Sequence, residues 1–132
     1  MILEKKKSSE YEKNIEIIVN YLRHKGYDHI RAQALEDYQE PAELKKMGED
    51  EGYKPDLTAR RDTSKYYFEI VDYSQKDKDA VVTKWMLLSA LAKQRTGELF
   101  LMVPHGKLNF TNRIVKDYGI DAQILPIKNI EA

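Results

Sequence analysis

The chain of 132 residues contains no cysteine, which removes disulfide frameworks, thiolate zinc sites and cysteine nucleophiles at once. Its six glycines are too dispersed to build a phosphate-cradling loop, and they read instead as helix stops and turns. Neither charge sign is in excess: 22 Lys and Arg face 22 Asp and Glu, so a uniformly basic nucleic-acid binder is excluded, although a local basic patch is not. No apolar run approaches the roughly 20 residues that a membrane span needs. The segment Met1 to Glu10 lacks the apolar centre of a secretion signal, which leads us to expect a cytoplasmic protein. The three histidines, His24, His29 and His105, are scattered without the paired spacing of a zinc site. Ser64 and Ser74 have no histidine at a spacing that suggests a nucleophile and its base.

What remains is a chain long enough for one domain, 1–132, with a sizeable core. Ser8 or Ser9 predicts an N-cap, with Glu12 completing a capping box from Ser9, and Tyr11, Ile15, Ile18 and Leu22 recur at helical spacing up to Gly26. Alternation over Tyr27 to Leu35 predicts a first strand, and Pro41 predicts a short helix within Glu36 to Gly48. Glu49, Asp50 and Glu51 read as a solvated loop. The helix from Asp77 or Asp79 to about Arg95 carries the apolar stripe Val81, Trp85, Leu88 and Ala92. Leu99 to Val103 reads as a central strand covered on both faces, Lys107 to Tyr118 as a helix ended by Gly119, and Ala122 to Pro126 as a short edge strand.

The chemistry concentrates in Lys54-Pro55-Asp56-Leu57-Thr58-Ala59 and Tyr66-Tyr67-Phe68-Glu69-Ile70-Val71-Asp72. Side chains alternate along a strand, so Tyr67, Glu69 and Val71 share one face, while Phe68, Ile70 and Asp72 share the other. If the polar turn at Asp62-Thr63-Ser64-Lys65 closes a hairpin, it brings Asp56 beside Glu69. Adjacent carboxylates repel unless positive charge lies between them, and a hard divalent cation with oxygen ligands answers that need. An arginine across the hairpin, Arg60 or Arg61, answers it too. Without such a partner, a buried Glu69 costs several kcal/mol.

Pro55-Asp56, twelve intervening residues, and then Glu69-Ile70-Val71 resemble the PD-(D/E)XK phosphodiesterase superfamily, with valine where that family has lysine. The resemblance covers about residues 11 to 126 in element order. It implies a restriction-endonuclease-like α/β fold with an αβββαβ core, whose mixed β-sheet is flanked by helices on both faces. It also implies a Mg²⁺ or Mn²⁺ cofactor on Asp56 and Glu69, hydrolysis of DNA, nucleic acid as partner, and room for a homodimer or a protein partner. Valine can neither position nor activate water, so a lysine must come from elsewhere. Lys84 borders the stripe of the long helix and is the candidate, against the alternative that it snorkels to solvent. Lys76 and Lys78 follow the acid strand as mobile alternatives within a solvated loop, and Gln75 could orient a water. Glu12 or Glu16 would supply a first-helix acid, and Tyr66, Tyr67 and Tyr73 would either stack on bases or pack across strands. Two functions follow: a metal-dependent nuclease with catalytic Asp56, Glu69 and Lys84, or a nuclease-like fold kept as an inactive binding or structural module.

Overall fold

The architecture, taken from a computed structural model that describes residues 8–45 and 52–131, is α/β: one open mixed sheet of five strands and three helices. Ser8 caps the first helix, α1 (Ser9–His24), by accepting the Tyr11 N–H at 3.1 Å. The cap lies one residue earlier than a Ser9–Glu12 box requires, so Glu12 falls at the exposed fourth helical position, one past the third position that a capping box uses. Strand β1 (Asp28–Ala32) is shorter than its alternation suggests. His29 takes a left-handed φ of 49° and the register with the next strand slips between Asp28 and Arg31, a bulge that interrupts the pairing near the start of the strand.

Residues 41–45 form no helix. Leu44 instead exchanges both backbone hydrogen bonds with Tyr53, at 2.7 Å each, and the remainder of the segment to Gly48 lies outside the described residues, as do Glu49, Asp50 and Glu51. Strands β2 (Leu57–Arg61) and β3 (Ser64–Ile70) form the expected hairpin, with Arg61 opposite Ser64. Only Asp62 and Thr63 make the turn, and Asp62 takes the left-handed φ of 57° that so tight a reversal needs. After a 3-10 turn at Gln75–Asp77 come α2 (Lys78–Gln94), β4 (Leu99–Val103), α3 (Leu108–Tyr118) and β5 (Gln123–Pro126). Gly119 ends α3 at φ 62°, as its position predicts.

The strands lie in the order β1-β2-β3-β4-β5, antiparallel up to β3 and parallel from β3 onward, with α2 and α3 as the crossovers that parallel pairing requires. Alternation sorts the core into two layers. Leu57, Phe68, Ile70 and Met102 pack against Ile15, Ile18 and Leu22 of α1. Tyr67, Val71, Leu99 and Leu101 pack against Val81, Trp85 and Leu88 of α2, with Ile114 of α3. Strand β3 is thus covered on both faces, which is why an acid on it cannot reach bulk water. None of the helices among the described residues is long and apolar enough to cross a membrane.

Candidate functional site

Leu57 pairs with Phe68, so one further step along the hairpin sets Asp56 against Glu69. Each acid then captures a backbone N–H near the other. Glu69 Oε2 accepts from the Asp56 amide at 3.2 Å, and Asp56 Oδ2 accepts from the Ile70 amide at 2.7 Å. Both acids are essentially inaccessible, with 0% exposure for Glu69 and 1% for Asp56. Burial of that kind demands compensation, and it arrives from both layers of the core.

From the α2 layer comes Lys84, itself 3% exposed. Its ammonium lies 3.1 Å from Glu69 Oε1 and donates to the Lys54 carbonyl, also at 3.1 Å. The side chain starts three residues after Val81 and four before Leu88, on the face of α2 that covers the sheet, so its stem runs inward and the snorkelling route is not taken. From the α1 layer comes Tyr11, whose hydroxyl donates to Asp56 Oδ1 at 2.5 Å. Tyr73, four residues beyond Glu69, donates to Glu69 Oε1 at 3.4 Å. Burial raises the pKa of the Tyr11 phenol far above its usual value, and the charges of Asp56 and Glu69 raise it further. The same causes, burial first and then Glu69 and Asp56, hold Tyr73 well above the phenol range. Both phenols therefore remain neutral donors to the carboxylates.

The other residues considered lie elsewhere. Glu12 and Glu16 point to solvent, and Tyr11 takes the inward position on that helix. Arg61 stacks its guanidinium 4.4 Å from the centre of the Tyr27 ring, and Arg60 sits opposite Lys65, so the countercharge of Glu69 is not an arginine. Val71 is buried in the same core layer as Trp85, with its N–H bound to the Met102 carbonyl at 2.9 Å. Gln75 and Lys76 are exposed, and Lys78 lies over the Tyr118 ring at 6.0 Å. Tyr67 is buried in the core, while Tyr66 packs edge-on against Tyr27 at 5.3 Å. His24, His29 and His105 are all exposed.

Tyr11 and Tyr73 are the members of the cluster that periodicity does not single out as polar partners. The signal for Tyr11 was its hydroxyl: a tyrosine in a stripe of Ile and Leu needs a buried hydrogen-bond partner. A cavity of about 210 Å³ adjoins the cluster, lined in part by Tyr11, Ile70, Asp72, His105 and Lys107. Two of these residues, Tyr11 and Ile70, both line the cavity and donate to Asp56, so the cavity lies next to the carboxylate's own partners.

Among the described residues, no group of three or more His, Asp or Glu side chains is arranged to hold a metal ion. The two carboxylates, one just ahead of β2 and one on β3, are nonetheless hard oxygen donors, a donor set chemically suited to Mg²⁺ or Mn²⁺. Compared with family models, with curated proteins and with solved structures, the chain finds no match.

Proposed function

We propose that the chain is a metal-dependent phosphodiesterase acting on nucleic acid, built on a restriction-endonuclease-like αβββαβ core, with Asp56, Glu69 and Lys84 as its catalytic residues. The observation that carries the reading is the 3.1 Å approach of the Lys84 ammonium to Glu69. An acid just ahead of β2, an acid on β3 and a lysine from the crossover helix meet at one buried point, where the superfamily's resemblance calls for two acids and a lysine. The lysine has moved from the strand position of Val71 to α2 while keeping company with the same acid.

Asp56 and Glu69 would hold the cation, which would supply a water acidified enough to attack a phosphodiester. The residues of the chain do the rest. Ile70 and Asp56 amides fix the two carboxylates in place, Lys84 holds positive charge at Glu69 where an anionic phosphate would otherwise be repelled, and the two cores exclude bulk water. Tyr11 both lines the neighbouring cavity and donates to Asp56 Oδ1, so its hydroxyl must swing aside for a ligand to take that oxygen.

Calorimetric titration with Mn²⁺ and a cleavage assay on labelled DNA and RNA test the proposal. Cleavage should require the metal and be lost in Asp56→Ala and Glu69→Ala. Lys84→Met should lose cleavage while retaining most of the metal affinity. Cleavage that survives both acid substitutions would locate the chemistry elsewhere and end this reading.

A second reading, an inactive module with the same core, draws on the burial of the cluster. Tyr11, Tyr73, Lys84 and two amides already donate to the two carboxylates, an arrangement that also serves as a buried polar network alone. Val71→Lys separates the two, since it returns a lysine to the face of Glu69. No cleavage by either protein, together with no Mn²⁺ affinity, favours the module.

A further inference from the structure

The charges of this neutral chain are not evenly spread. Arg31 on β1 lies opposite Thr58, Arg60 follows Thr58 by two residues on the same face, and Lys65 on β3 lies opposite Arg60. Three adjacent strands thus present three cations on the face that α2 covers farther along. Arg95, just beyond α2, joins them, because its carbonyl takes the Lys65 N–H at 3.2 Å. That contact depends on Gly97. A Cβ at this glycine would lie 1.8 Å from the Lys65 carbonyl oxygen, so only a residue without a side chain lets the turn rest on β3. Arg31 and Arg95 are exposed, and Arg60 and Lys65 are half-buried.

Among the described residues, none of these four cations forms an ion pair; the cation–carboxylate pairs are Lys54–Glu40, Lys84–Glu69 and Lys93–Asp121, with a His29–Asp28 hydrogen bond beside them. Asp28, the residue across from Arg60, turns its carboxylate to His29 at 2.9 Å. The field of the cluster is felt at Lys65, whose pKa is lowered by burial and then by the guanidiniums of Arg95, Arg31 and Arg60. Four cations with one neighbouring acid, itself turned to His29, repel each other, and an anionic ligand relieves the repulsion. Guanidinium forks match phosphate oxygens in pairs. Strands about 4.8 Å apart spread the three sheet cations over roughly 10 Å, a span suited to a run of phosphates more than to one ion.

We infer that Arg31, Arg60, Lys65 and Arg95 form a binding surface for a chain of phosphates, the sugar-phosphate backbone of a nucleic acid. It lies on the same sheet face as the acid pair, four residues away along each hairpin strand, or roughly 13 Å. The intervening pair, Thr58 and Tyr67, is buried, so the surface is separate from the Asp56–Glu69 cluster and the inference stands whether or not that cluster cleaves anything.

The test is fluorescence anisotropy of the full chain with short labelled single-stranded and duplex oligonucleotides in EDTA, where metal-dependent cleavage is silent. Log affinity should fall linearly with log salt, with a slope magnitude of about 3 for roughly four phosphate contacts. Substituting Arg31, Arg60, Lys65 and Arg95 together by glutamine should weaken binding at least tenfold and flatten that slope, with thermal stability unimpaired. Lys116→Gln with Lys128→Gln, which removes charge from exposed positions elsewhere, should leave binding nearly unchanged. Inorganic polyphosphate distinguishes the source of the phosphates: binding of polyphosphate but not oligonucleotide would keep the phosphate chain and overturn the nucleic acid. No binding at low salt, or equal loss in the control variant, would overturn the surface itself.

Discussion

Lys84 provides the countercharge of a carboxylate that has no water to turn to. Breaking a buried pair from one side leaves the other charge stranded, which costs about 3–5 kcal/mol. Lys84→Met should therefore lower unfolding free energy by about that amount in denaturant titrations. Adding Glu69→Gln should recover part of the loss, since the stranded charge is then removed. The phenols make a separate prediction. Tyr11, Tyr73, Tyr27 and Tyr67 all have raised pKa values, with burial the first cause in each case. Above the ordinary phenol value of 10.0 the unfolded chain releases protons that the folded chain retains. Stability is thus intact below that pH and declines as pH rises beyond it, and Tyr11→Phe or Tyr73→Phe should flatten the decline. Among single residues the sequence marks Glu69 because it interrupts an apolar strand, Asp56 because the hairpin carries the Pro-Asp pair beside it, and Lys84 by its distance from Val81 and Leu88. It does not mark the tyrosines as partners, because an aromatic ring satisfies the same periodicity whether or not its hydroxyl is bonded.

The elements follow the same division between what local pattern records and what contact decides. The helices and the strands around the hairpin are legible because their apolar spacing is long and regular, as in the stripe Val81, Trp85, Leu88 of α2. The segment after Pro41 is not. Proline merely tolerates a first helical turn, and the pairing of Leu44 with Tyr53 draws residues 41–45 into an extended path. The bulge in β1 escapes alternation for a similar reason, because it depends on a partner strand whose register is set elsewhere. Gly97 offers a test at this scale. Gly97→Ala forces the turn between α2 and β4 away from β3, and the overpacking should cost about 1–3 kcal/mol in thermal unfolding. By displacing Arg95 from Lys65, it should also weaken oligonucleotide binding.

Across the whole molecule, β3 is the strand on which two kinds of pairing meet. On one side it joins β2 through a turn of two residues, and on the other it joins β4 only after α2 has crossed the sheet. The difference becomes one of order in time. A tight hairpin closes in about 1–10 μs, whereas a pairing that waits on a docked helix bears a larger loop-closure cost. Asp56 and Glu69 therefore meet early, while Lys84 arrives with α2. Stopped-flow measurements should show Lys84→Met speeding unfolding while leaving the refolding rate nearly unchanged, as for a contact made after the transition state. A lysine on a helix rather than on the strand thus makes the countercharge join after the two acids have met, and the folding chain must carry two facing negative charges through the interval before it does.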